Sequence, residues 1–154
     1  MVSQVRSVSY YGIDAKEVIV EVHCSPGIPS FNIVGLPDKA IAESKERIRN
    51  AFHSLRLALP QKKITVNLAP ANLLKEGSHY DVAIAICIMI EMDALPYDDI
   101  SGYVILGELS LNGNINCVNG TLPASMLANA NNLGIVCPKD NYAEAYWSGN
   151  DRII

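Results

Sequence analysis

The 154-residue sequence predicts an α+β domain, a mixed sheet with covering helices. Three observations predict it. Two stretches of alternating apolar residues at the N-terminus are joined by Gly12-Ile13-Asp14, the pattern of an antiparallel hairpin. Strand-like and helix-like periods then alternate to the C-terminus, which implies a mixed sheet with helices packed on it. Between these, every residue from Val82 to Ile90 is apolar. A helix with no polar face belongs in the middle of a domain. At roughly 15 residues it is also too short for a bilayer, which needs about 20.

The elements follow in order. Ser3 to Tyr11 and Ala15 to Cys24 read as strands. In the second, Val18, Val20, Val22 and Cys24 share one face, and Glu17, Ile19, Glu21 and His23 share the other. Pro26, Gly27 and Pro29 interrupt the pattern before a short strand, Phe31 to Val34. One long helix is predicted from about Pro37 to Leu57. On it Ile41, Ile48, Phe52, Leu55 and Leu59 fall within about 60° of one another, a stripe expected to be buried. Lys45, Arg49, His53 and Arg56 form a second stripe about a quarter-turn away, which reads as a solvated flank or as an anion-binding or subunit-facing surface.

Lys62 to Leu68 forms the next strand and stops near Ala69, because Pro70 cannot donate to a ladder. Residues 71–77 make a polar loop ending in Lys75-Glu76-Gly77. Ser78, with Asp81 three residues later, matches a helix-opening box that supplies oxygens to the unpaired amides of the first turn. Ala94-Leu95-Pro96 closes the apolar helix. Val104 to Leu106 begins a strand, and Leu109 and Leu111 are expected to face Ile115 and Cys117 across Asn112-Gly113. Thr121 caps a helix with Pro123 near its start and Met126, Leu127, Ala130 and Leu133 facing inward; Gly134 ends it. Ile135 to Cys137 is a buried strand, and Pro138 leads into a last helix carrying Tyr142, Tyr146 and Trp147. The final residues, Asn150 to Ile154, suggest a strand beginning, so the sequence reads as cut from a longer chain.

Composition narrows the function classes. With 49% hydrophobic and 18% charged residues, one globular domain over 1–154 is expected. A chain of this length buries roughly 70% of its unfolded surface without staples. The net charge of −4 excludes a uniformly nucleic-acid-coating surface. The distribution differs from the total. Lys39, Lys45, Arg47, Arg49, Arg56, Lys62 and Lys63 oppose only Glu43 and Glu46, so that segment carries +5 and the rest −9. Cys24, Cys87, Cys117 and Cys137 lie far apart and read as reduced thiols of a cytoplasmic protein. The N-terminus lacks the apolar core of a signal peptide, so neither export nor a membrane partner is expected.

No GxxxxGK[ST] or GxGxxG occurs, so nucleotide hydrolysis by this chain alone is not expected. His23, His53 and His79 are isolated and no HExxH or CxxC occurs, so no metal or other cofactor is expected in this chain. One catalytic candidate remains. Ser78 stands at the mouth of the apolar helix, where amides could form an oxyanion hole, with Lys75 or Lys139 as base. The simpler reading makes Ser78 only the helix cap.

The stretches FNIVGLPDKAIAESKERIRNAF, ITVNLAPANLLKEGSHYDVAIAI and GELSLNGNINCVNGTLPA resemble the N-terminal domain of ComM/YifB-type proteins, bacterial AAA+ ATPases known as competence or magnesium-chelatase-like proteins. The resemblance runs from about Val5 to Tyr146. It implies the fold of the Lon protease proteolytic domain, shared with domain two of ribosomal small-subunit protein five, placed ahead of a AAA+ module. It further implies a hexameric motor acting on DNA, with branch migration in natural transformation as its role and ATP and Mg held in the AAA+ module. Lon-type peptidases carry a PKDGPSAG-like segment. Laid on the family loop Lys75, Glu76, Gly77 and Ser78, its serine falls on His79 and its preceding proline on Ser78. The catalytic lysine falls on Leu122, which cannot take a proton, so no peptidase activity by that mechanism is expected. The expected role is ring assembly or nucleic-acid contact, with Lys45, Arg49, Arg56, Lys62 and Lys63 as the contact set. A residual hydrolase using Ser78 and a magnesium-chelatase-like accessory domain are the alternatives.

Overall fold

Seven apolar residues of three neighbouring strands fix the centre of the computed structural model, which describes residues 2–154. Val5 of β1 (Ser3–Tyr11), Val18, Val20 and Val22 of β2 (Asp14–Ser25), and Ile64, Val66 and Leu68 of β4 (Lys63–Ala69) are all buried on one face. Each such side chain taken from water contributes about 1.5–3 kcal/mol, so this face decides where helices pack. Antiparallel β1/β2 and β2/β4 pairs put these residues in register, with Val5 opposite Val20 and Val66 opposite Val22. The six-stranded sheet has the order β3-β4-β2-β1-β5-β8, where β3 is Ser30–Val34, β5 Tyr103–Ile105 and β8 Gly134–Val136. The β3/β4, β1/β5 and β5/β8 pairs are parallel, which makes the sheet mixed as predicted.

The apolar helix α3 (Asp81–Glu91) lies against β1 and β2, with Ala83, Ile84, Cys87 and Ile88 fully buried. Beside it the predicted long helix is two. They are α1 (Lys39–Ala42), capped by Asp38 Oδ1 accepting from Ile41 N at 2.9 Å, and α2 (Ser44–Ser54). The break falls where the buried Ser44 donates its hydroxyl to Asp81 at 2.5 Å, an attachment that apolar spacing alone does not report. Ile41, Ile48 and Phe52 of the expected stripe are buried, but Leu55 is exposed, because α2 stops at Ser54. On the opposite sheet face α4 (Thr121–Ala130) and α5 (Tyr142–Trp147) cover β5 and β8 around a second, smaller core of Val8, Val104, Leu106, Ala124, Ala128 and Ile135. Polar residues of β2 and β4, among them Glu21 and Asn67, hydrogen-bond one another at 2.8 Å on the uncovered part of that face.

Two further expectations are corrected. The buried side of α4 is Thr121, Ala124, Ser125 and Ala128, while Met126 is 58% exposed and Ala130 is also exposed. Small residues allow the close approach to β8 and α5 that Met126 would obstruct. The hairpin β6 (Glu108–Leu109) and β7 (Ile115–Asn116) pairs Leu109 with Ile115 around a five-residue loop rather than a two-residue turn. There Asn112 Oδ1 accepts from Asn114 N at 3.1 Å, and the side chain thus replaces a backbone turn. The extended stretch expected at Asn150 to Ile154 is present as a single parallel bridge between Ile153 and Ile135.

Candidate functional site

A cleft of about 850 Å³ opens beside the N-terminal end of α3. Its walls come from the end of β1 (Ser9, Tyr10, Tyr11), the turn before α1 (Leu36, Asp38), the loop 72–79, Glu108 and residues 117–119. The sequence builds this wall by pairing two turns. Lys75 N donates to Leu36 O at 3.2 Å and Lys75 O accepts from Asp38 N at 3.0 Å. Gly35 tolerates no side chain at this crossing, since a Cβ would stand 2.2 Å from Leu68 O and its φ is +102°.

The family loop is distributed differently from its one-dimensional reading. Lys75 is fully buried, and its ammonium donates to Gly35 O at 2.6 Å and to Pro70 O, away from the cleft. Burial lowers its pKa. Glu76 is exposed at the rim, and Gly77 N donates to Asp38 Oδ2 at 3.1 Å. The Ser78 hydroxyl donates to Glu108 Oε2 at 3.0 Å. Ser78 does not cap the helix: Tyr80 occupies the cap position with no side-chain bond. The carboxylate expected to help it, Asp81, accepts instead from Ser44, from Arg47 Nε at 2.6 Å and Nη2 at 3.0 Å, and from Leu109 N at 3.1 Å. Neither proposed base reaches Ser78. Lys75 is committed to two carbonyls, and Lys139 lies exposed in the short 3-10 turn before α5.

His79 and Leu122, the positions that the resemblance aligns with nucleophile and base, do not form a pair. Tyr10 stands between their segments, its ring 5.2 Å from that of His79 and its hydroxyl 2.7 Å from Gly120 O. Leu122 N donates to Glu144 at 2.6 Å. His79 is buried with Nε2 2.7 Å from Val8 O. A carbonyl only accepts, so Nε2 carries the proton and Nδ1 keeps its lone pair. Desolvation lowers the imidazole pKa, so the ring is neutral at neutral pH.

The basic set lies elsewhere. Arg49, Arg56, Lys62 and Lys63 are exposed and Lys45 is half-buried. Arg49 of α2 and Lys62, ahead of β4, line one hollow of about 130 Å³ with Ser30, Pro60 and Gln61. The Arg49 guanidinium lies 5.6 Å from the Phe31 ring centre and pairs with Glu46 at 2.9 Å. Lys63 opens β4 opposite Ser30. Arg56 follows α2 with φ 58°, and neither it nor Lys45 lines the hollow. Sequence reasoning missed Arg47, the basic residue that turns inward to Asp81. The available sign was an acid opening an otherwise apolar helix, which demands a buried partner.

Among the described residues no group of three His, Cys, Asp or Glu is placed to hold a metal ion, and no helix is long and apolar enough to cross a membrane.

Comparison with known proteins adds a lineage. Residues 20–141 match the family described as subunit ChlI of Mg-chelatase. Competence protein ComM of Haemophilus influenzae is 40% identical over 134 residues, 87% of this chain and 26% of that protein. The uncharacterized protein YifB of Escherichia coli is 38% identical over 133 residues, 86% of this chain and 26% of YifB. The uncharacterized protein Rv2897c of Mycobacterium tuberculosis is 37% identical over 140 residues, 90% of this chain and 28% of its own length. The chain thus spans about a quarter of the length of the curated relatives it matches.

Proposed function

The chain belongs to the ChlI family of Mg-chelatase subunits, with relatives of the ComM and YifB type, and on that premise we propose that it is a DNA-contacting, non-peptidase domain of a longer AAA+ motor. The observation that carries the DNA contact is the hollow where Arg49 and Lys62, thirteen positions apart, converge from different elements. Two cations held around one recess suit a phosphate oxygen better than they suit mere solubility, and Lys63, opposite Ser30, extends the field around it. Such contacts are sequence-independent and weaken with salt. Nucleotide and Mg chemistry is assigned to the rest of the motor, since no phosphate-binding glycine loop occurs in these residues. A hexameric ring acting in the cytoplasm on DNA taken up in transformation is the setting this reading adopts.

Titrating the chain with single- and double-stranded DNA at low and high salt tests it. Alanine at Arg49, Arg56 and Lys62 together is expected to abolish binding that the unmodified chain shows at low salt. Binding that survives those changes would remove the patch from the DNA reading and leave a neighbouring subunit as its partner.

A further inference from the structure

The cleft beside α3 has a charge of its own, separate from the basic surface. Asp38, Glu76 and Glu108 line it, and no lysine or arginine does. The one lysine in its wall segment, Lys75, turns its ammonium to Gly35 O and Pro70 O. None of Lys45, Arg49, Arg56, Lys62 and Lys63 borders it. Asp38 already spends both oxygens on Ile41 N and Gly77 N, so it fixes the wall. Glu108 has one oxygen on Ser78, and Glu76 stands exposed at the rim.

A second observation comes from the buried His79. Its Nε2 is taken by Val8 O, and its Nδ1 carries the lone pair of a neutral ring with no hydrogen-bond partner among the described residues. That nitrogen lies on the side of Gly77, 3.0 Å from where a Cβ there would stand, and both residues line the cleft. Gly77, lacking a side chain, leaves the acceptor open. The acids are too dispersed for a metal ion, since among the described residues no three such groups are placed to hold one. Dispersed carboxylates around a recess of this volume, with a neutral nitrogen acceptor and the Tyr10 and Tyr11 rings in the walls, suit an organic cation with apolar carbons beside its charge.

We propose that this cleft binds an alkyl chain bearing more than one ammonium or guanidinium group, with Glu108 and Glu76 as separate carboxylate partners and His79 Nδ1 as a further acceptor. Two sources carry that chemistry: the lysine or arginine side chains of an extended protein segment, and a free polyamine. The binding is non-covalent and does not rest on the DNA reading.

Fluorescence anisotropy with a fluorescein-labelled peptide of alternating lysine and alanine, and calorimetry with spermidine, test it on the 154-residue chain. Saturable binding of at least one probe is expected, weakened about tenfold by Glu76→Gln and again by Glu108→Gln, and lost when the peptide lysines are acetylated. Glu76 lies on an exposed loop, so its change leaves the fold intact. Peptide binding without spermidine binding assigns a protein segment; the reverse assigns the polyamine. No saturable binding of either probe, or affinity indifferent to both substitutions, overturns the proposal.

Discussion

Asp81 is 0% exposed and accepts four hydrogen bonds, from Ser44, twice from Arg47 and from Leu109 N. It joins α2, α3 and the β6 strand at one point beneath the cleft. Removing one partner of a buried pair leaves the other uncompensated, so Asp81→Ala is expected to cost about 3–5 kcal/mol, read as a lower urea midpoint. Ser78→Ala, which loses one part-buried bond to Glu108, is expected to cost only about 1 kcal/mol. That ranking is the reverse of what the Ser78-xx-Asp81 spacing suggests, because a local box cannot show a partner 34 positions away. His79 supplies a pH prediction. Its pKa is lowered in the fold below the ordinary value of 6.5, so below that pH the unfolded chain binds a proton the folded chain refuses. Stability is full above pH 6.5 and falls as pH drops through it. Urea midpoints at pH 8 and pH 5.5 are expected to differ more in the unmodified chain than in His79→Gln.

At the scale of elements, the order of strands and helices was legible because period-2 and period-3.6 runs are long here, and Pro70 and Asn112-Gly113 mark their ends. The ends of the helices were less so. α2, α3 and α4 all finish in the same motif, with Leu57 N on Phe52 O, Ala94 N on Met89 O and Leu133 N on Ala128 O, each at 2.8 Å. The left-handed position falls not on glycine but on Arg56, Asp93 and Asn132. Reading Gly134 as the stop therefore overran α4, which ends at Ala130. A left-handed arginine costs roughly 1–2 kcal/mol relative to a helical conformation, and glycine removes that strain. Arg56→Gly is expected to raise stability by about 1 kcal/mol, read as a higher urea midpoint. In α4 the tight face is alanine and serine, so Ala128→Leu is expected to destabilise by about 1–3 kcal/mol. Met126→Ala, at an exposed site, should stay within about 0.5 kcal/mol. Thermal melts of the two variants separate the observed packing from the one that apolar spacing suggests.

Over the whole molecule, charge is arranged by region, with cations around the Arg49–Lys62 hollow and carboxylates around the α3 cleft. The first half of that division was legible as the +5 segment from Lys39 to Lys63. The second was not, because Asp38, Glu76 and Glu108 come together only when β1, the turn before α1 and the hairpin fold over α3. The same three-dimensional assembly separates Ser78 from Lys75, which lie three positions apart in the chain. The central claim, that the basic surface holds the phosphate backbone, predicts a specific salt dependence. Three phosphate contacts on duplex DNA, from Arg49, Lys62 and Lys63, give a slope of log Kobs against log salt of about −2.7, and Lys62→Ala should make it shallower by about 0.9. Measuring that slope for the unmodified chain and for Lys62→Ala is the most direct test. A slope near zero, or one unchanged by Lys62→Ala, contradicts the account.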